Sequence, residues 1–312
     1  MTDNRFINTL SVLLLCGSIV AGCQGERHES PTKGSVTFVV SESVSPFVQK
    51  EKQTFEELYP AAHVEIQVAS AREAIARLFN DSITIIVSSR TLNAEERAVA
   101  KKANLVIGEY RIAWDGVAVI VHKANLITKL RTTQLDSVLS GKVTHWDNVG
   151  SPLASRIEVC LPSRNTGTYE FVVTRLIKAP DTVATPAAVV KSSADMIDYV
   201  TSHTGAIGLI GLNWLNDNKE KLNVLELADP NAPDSLGTRG KYFGPYQAYV
   251  YQQYYPLTRE IYIYSRADNY GVAPGFTTFI ASAPGQKIVL NSGLVPATMP
   301  VRLVETTSKS LQ

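Results

Sequence analysis

From Ser35 onward, short apolar runs alternate with helix-length amphipathic segments, and this alternation limits the fold more than any other property of the chain. Residues 36–40, 64–68 and 83–87 read as strands, with helices over 47–59 (stopped by Pro60), 73–80 and 94–102. A strand–helix–strand succession builds a mainly parallel sheet with helices on both faces. Strands at 105–107 and 117–121 flank the segment 110–116, whose Asp115-Gly116 pair suits a crossing between two lobes. The alternation then continues with helix 133–139, strand 157–160, helices 168–177 and 194–202, and strand 206–210. After a Gly- and Tyr-rich stretch, 237–244, strands at 248–251 and 261–264 and helices at 275–281 and 286–290 read as a return to the first lobe. The expected architecture is therefore α/β and two-lobed with two crossovers, lobe I comprising 35–113 plus 245–308 and lobe II 114–244. The length of 312 residues agrees with this, at about 150 residues per domain.

The N-terminus carries a different signal. Arg5 precedes a mostly apolar run of 15 residues, 6–20, that closes on Ala21-Gly22-Cys23. Such a run is short for a bilayer span and fits a secretory signal, with an uncleaved anchor or a buried helix as the alternative. A Cys directly after Ala-Gly resembles the lipobox of bacterial lipoproteins. That resemblance implies cleavage after Gly22, a lipidated Cys23 and a location on the periplasmic side of the membrane in the cell envelope. Residues 1–22 are then the signal peptide and 23–34 a flexible polar tether. Cys16 leaves with the signal, and Cys160, without a partner, reads as a small buried apolar residue.

Charge and cysteine usage exclude several functions. Thirty Lys and Arg stand against 29 Asp and Glu, so the basic excess of a nucleic-acid binder is missing and any bound anion must be met by local groups. The three cysteines form no CxxC, and the five histidines are dispersed without metal-ligand spacing, so no metal or other cofactor is expected. Neither GxSxG, Walker A, GxGxxG nor a zincin motif occurs, and no activating base lies near Thr166 or Ser89 in sequence. Catalysis is not expected.

Three segments offer anion-binding chemistry. Thr166-Gly167-Thr168 opens a helix, where free backbone N–H groups, two hydroxyls and a close-approach glycine can surround an oxyanion. Its plain alternative is an N-cap. Ser88-Ser89-Arg90 follows an apolar strand, at the sheet end where ligands collect, although Arg90 could equally be a solvated charge. The exit of the first strand, Ser41-Glu42-Ser43-Val44-Ser45-Pro46, enters a helix and could present Ser43 and the Val44 amide, or serve only as capping.

Five ordered motifs resemble those of PstS-type phosphate-binding proteins, the solute receptors of phosphate ABC transporters. They are Ser88-Ser89-Arg90-Thr91-Leu92, the run from Trp114-Asp115-Gly116 to Val121, the run from Leu139-Ser140-Gly141 to Trp146, Thr166-Gly167-Thr168-Tyr169, and the run from Gly205-Ala206-Ile207-Gly208 to Leu212. The resemblance implies a type II periplasmic-binding-protein fold that closes over inorganic phosphate and delivers it, as a monomer, to a membrane permease. It implies a ligand set drawn from Ser43, Val44, Ser88, Ser89, Arg90, Thr166, Gly167 and Thr168. Two departures stand out. Pro162 occupies the family's arginine position, with Arg164 two residues closer to the helix, and Ala69-Ser70-Ala71-Arg72 replaces a Gly/Ser-rich helix start. Arg164 or Arg72 could supply the missing charge. The departures leave open another oxyanion or a phosphorylated small molecule. A further alternative, marked by Tyr246, Tyr249, Tyr251, Tyr254 and Tyr255, is an envelope interaction protein that keeps the fold without transport.

Overall fold

In a computed structural model, the chain is described over residues 29–177, 183, 186, 188–215, 217–266 and 270–300. The signal segment, Cys23, most of the tether and the end of lobe I beyond residue 300 lie outside the described residues. Strands are β1 (Gly34–Ser41), β2 (Ala62–Ala69), β3 (Ile85–Ser88), β4 (Gly108–His122), β5 (Lys129–Arg131), β6 (Glu158–Pro162), β7 (Ala188–Val190), β8 (Ala206–Gly211), β9 (Leu222–Val224), β10 (Glu226–Ala228), β11 (Tyr242–Phe243), β12 (Thr258–Ser265) and β13 (Val295–Pro296). Helices are α1 (Ser45–Leu58), α2 (Ala71–Phe79), α3 (Ala94–Lys102), α4 (Thr132–Leu139), α5 (Gly167–Leu176), α6 (Ser193–Ser202), α7 (Leu212–Leu215), α8 (Gln247–Tyr251), α9 (Val272–Ala281) and α10 (Ala283–Asn291).

The main sheet runs β2-β1-β3-β12-β4-β8-β6-β7, with β9 and β13 also paired to β4. Pairing is parallel at both ends, between β1 and β2, β1 and β3, β6 and β8, and β6 and β7. It is antiparallel in the middle, where β12 lies between β3 and β4 and β8 lies on β4. A chain that crosses from one lobe to the other and later returns must run both ways at the crossing, which explains the mixed sheet. A small second sheet, β11-β10-β5, flanks lobe II.

The structure corrects the sequence reading at two places. No strand forms at 105–107, and the segment 110–116 is not a loop between strands; β4 is one strand of 15 residues that pairs with β12 up to Gly116 and with β8 from Val117. Asp115 interrupts the apolar pattern without interrupting the strand, because Arg259 on β12 meets its charge inside the sheet. Residues 248–251 form the single helical turn of α8 rather than a strand. Here only Val250 is buried, and the Gln247 side-chain amide donates to the Leu290 and Leu294 carbonyls, tying the turn to the end of α10.

Caps match the sequence chemistry. Ser70, Thr166 and Ser192 each accept a hydrogen bond from the backbone N–H three residues on, at 3.3, 3.2 and 3.1 Å, and Asn93 with Glu96 forms a capping box on α3. In lobe I, Phe38 and Phe55 both pack against Phe276, with centroids 5.1 and 5.2 Å apart. Cys160 is buried on β6, and burial pushes its thiol up to about 12, so it packs as an inert apolar group.

One core residue works against stability. Glu51, on the inner face of α1, is fully buried, and neither carboxylate oxygen has a partner among the described residues. Desolvation pushes its pKa up to about 9. Because the folded value lies above the unfolded one, folding takes up a proton. Stability is greatest below about pH 4.5 with respect to this group and falls by about 1.4 kcal/mol per pH unit until the folded value is reached. Urea unfolding at pH 5.5 and pH 8 is expected to show that loss in the parent and a much flatter response in Glu51→Gln. Equal slopes in both proteins would assign the loss to other groups.

Candidate functional site

The carboxyl ends of β1, β3 and β6 open toward the cleft between the lobes, and each continues into a segment that brings polar groups there. After β1, Glu42–Val44 form a short turn whose carbonyl at Glu42 accepts from the Ser45 hydroxyl, and Pro46 then starts α1. Ser43 and Val44 are both buried at this turn. After β3, the Ser88 hydroxyl donates to the Arg90 carbonyl at 2.8 Å and accepts from the Arg90 N–H at 3.3 Å, fixing a tight bend. The bend holds Ser89, fully buried, with its N–H on the Ser41 hydroxyl and its own hydroxyl oxygen without a partner among the described residues.

Opposite this bend sits the start of α5. Thr166 caps the helix and its hydroxyl donates to the Ser163 carbonyl at 2.7 Å. Gly167 lies against Ser89 so closely that a Cβ built on it would fall 2.3 Å from the Ser89 Oγ and 3.3 Å from the Ala71 Cβ, both on the other lobe. The segment therefore brings together Ser89, Thr166, Gly167 and Thr168 at one helix N-terminus, where free amides and the helix dipole favour an anion.

The cation behind this cradle comes from β12. Arg259 donates through Nη1 to the Thr168 Oγ1 at 3.0 Å, and through Nε and Nη2 to the Asp115 Oδ2 at 2.9 and 2.7 Å. Asp115 Oδ1 accepts from the Leu212 N–H at 2.9 Å. Both residues are buried, so one ion pair ties the two crossing strands to both α5 and α7.

A carboxylate also enters from lobe I. Glu42 Oε1 accepts from the Ser193 N–H at 2.7 Å and Oε2 accepts from the Ser193 hydroxyl at 3.1 Å, at the N-terminus of α6. Its pKa is raised, chiefly by burial, against the lowering effect of the Ser193 hydrogen bonds and the Arg259 charge. A cavity of about 10 Å³ remains here, lined by Glu42, Thr166, Thr168, Lys191 and Ser193 among others.

Around the rim the lobes are joined. The Arg72 N–H donates to the Asn165 carbonyl at 3.2 Å, and its guanidinium reaches Glu170 at 2.8 Å. The sequence reading offers Arg90 either to the anion or to solvent; its guanidinium is held by Glu96 at 2.7 Å through both terminal nitrogens and by Glu170. Arg164 is exposed and lines a larger outer cavity of about 1290 Å³, together with Arg72, Glu170 and Trp114. Neither arginine lines the small cavity, and Arg72 is engaged at the rim.

Glu42, Asp115, Ser193 and Arg259 escape the sequence reading as site residues. Asp115 carries a usable signal, a lone charge beside Gly116 in an apolar run. Arg259 and Ser193 lie in stretches without a motif, and only folding brings them to the cleft. Among the described residues, no group of three or more His, Cys, Asp or Glu could hold a metal ion.

Comparison with known proteins places this geometry. The chain is 27% identical over 264 residues to the phosphate-binding protein PstS of Staphylococcus aureus, covering 83% of this chain and 77% of that one. A substrate-binding protein from Clostridium perfringens, crystallised with bound phosphate, superposes with a TM-score of 0.73 at 22% identity, covering 85% of this chain and all of the other. An ABC-type phosphate transport receptor from Vibrio cholerae gives 0.65 at 23% identity, with the same coverage. These structural likenesses establish the two-lobed fold. The family described as the PBP superfamily domain matches residues 25–284, nearly the whole of the described chain, and the protein belongs to that superfamily.

Proposed function

We propose that this protein is a lipid-anchored solute-binding protein that captures inorganic phosphate by closure of its lobes and passes it to the permease of an ABC transporter. The observation that carries this reading is the Ser89 hydroxyl, buried, without a partner among the described residues and set against Gly167 at the N-terminus of α5. A buried hydroxyl without a partner is costly unless a ligand completes its hydrogen bonding. Thr166, Gly167 and Thr168 supply further donors from lobe II, the Ser43–Val44 turn supplies the lobe I wall, and Ser88 and Arg90 hold the Ser89 bend. Arg259, paired with Asp115, backs the cradle through the Thr168 hydroxyl.

The relatives named for phosphate binding and phosphate transport support the same ligand and the same use. They are solute receptors, which agrees with a protein that performs no chemistry. Capture takes place in the cell envelope, with Cys23 as the lipid attachment. A small inorganic anion fits the inner cradle alone, whereas a phosphorylated small molecule would have to extend past the rim contacts of Arg72, Arg90 and Glu170 into the outer cavity.

Calorimetric titration with phosphate, arsenate, sulfate and molybdate tests the reading. Phosphate is expected to bind with a Kd below about 0.1 mM and ahead of sulfate. Heat from another oxyanion but none from phosphate at about 1 mM would overturn the assignment while leaving an anion receptor.

A further inference from the structure

The carboxylate of Glu42 receives from lobe II the kind of contacts that an incoming anion would receive: a helix N-terminal amide and a hydroxyl, at 2.7 and 3.1 Å, both from Ser193. Glu42 belongs to lobe I, on the turn that follows β1, and α6 belongs to lobe II. The contact therefore spans the cleft. It stands beside Thr166 and Thr168, and the space left there, about 10 Å³, holds at most one water. A tetrahedral oxyanion has five heavy atoms and cannot share that space with the carboxylate in its present rotamer.

We propose that Glu42 is a built-in anion surrogate, a latch that closes the cleft when no oxyanion is bound and withdraws when one enters. Lys191 lines the same cavity and Arg259 attracts the Glu42 charge, while Asp195, in the first turn of α6, opposes it. The carboxylate is thus held by the two Ser193 hydrogen bonds at the start of α6, against the cost of its burial. Each withdrawal forfeits a charge-assisted pair of hydrogen bonds, so the latch lowers the affinity for the anion that displaces it. For the identity of that anion the inference rests on the phosphate reading; for the latch itself it does not.

Two measurements on the parent, Glu42→Gln and Glu42→Ala separate these points. Small-angle scattering without added anion reads the latch alone. The parent is expected to be compact and Glu42→Ala expanded, with Glu42→Gln between them because an amide oxygen can still accept from the Ser193 N–H. Indistinguishable scattering from all three would overturn the latch, whatever the ligand. Phosphate titration then reads the competition, and Glu42→Ala is expected to bind at least about tenfold more tightly than the parent. Weaker or equal binding would make Glu42 a ligand contact or a bystander and overturn the surrogate role. If no protein binds phosphate, the proposed function fails and the scattering result still decides the latch.

Discussion

Arg259→Met is expected to lower folding stability by about 3–5 kcal/mol, because it strands the Asp115 carboxylate inside the sheet without its partner. Asp115 and Arg259 are 0% and 3% exposed, and the guanidinium makes two hydrogen bonds to a single carboxylate oxygen. With Arg259 gone, Asp115 retains, among the described residues, the Leu212 N–H. Water cannot enter freely, since even a Cβ at Gly211 would come within 2.8 Å of the Asp115 Oδ2. Urea unfolding measures the loss. The double variant Asp115→Asn, Arg259→Met is expected to recover a large part of it, since the uncompensated charge is the main cost. A loss below about 1 kcal/mol in the single variant would show that solvent reaches the pair.

Gly167→Ala should leave folding intact and cripple ligand capture. The glycine is not needed for an unusual backbone angle; it is needed because the opposite lobe lies against it. An added Cβ would meet the Ser89 Oγ at 2.3 Å and the Ala71 Cβ at 3.3 Å. The serine hydroxyl can rotate away, but its own Cβ stays 3.4 Å from the new methyl, and the rotated hydroxyl no longer faces the cradle. The crowding acts in the closed state and is absent when the lobes part, so its whole cost falls on closure. Overpacking by one methyl typically costs about 1–3 kcal/mol, which corresponds to a loss of up to about 150-fold in phosphate affinity, reduced by the share of closure that the Glu42 latch already holds in the unloaded molecule. Calorimetry of the variant beside its unfolding curve tests this. Unchanged affinity would place the ligand away from the start of α5.

Much of this architecture could be read directly, because the strands and helices of both lobes are local patterns. Val64–Val68 declares itself by apolar–polar alternation and Ala206–Ile210 by an apolar run, and Thr166 and Ser70 declare helix starts by residue type. The reading failed where a tertiary partner overrides the local pattern. Asp115 looks like a strand breaker until Arg259, 144 positions away, neutralises it. The tyrosines near 249–255 look like a strand, but Phe243 packs on both Tyr249 and Tyr254, and that pattern belongs to a turn folded on itself. The lobe II part of the proposed anion cradle was legible, because its helix start is contiguous in sequence. Its charge balance was not, because an arginine beside a Ser-Ser bend carries no mark of the two glutamates that folding brings to it.

The pairing of β4 with β12 has a mechanical meaning. The two segments that join the lobes do not cross as separate threads; they run side by side, hydrogen-bonded through Thr258 and Gly116, with the Val117 N–H on the Leu257 carbonyl and the Tyr255 hydroxyl on the Val117 carbonyl. A two-stranded ribbon bends easily about an axis across its strands and resists shearing along them, since shear breaks its ladder. A bend across this ribbon is therefore the motion between the halves that costs no ladder bond.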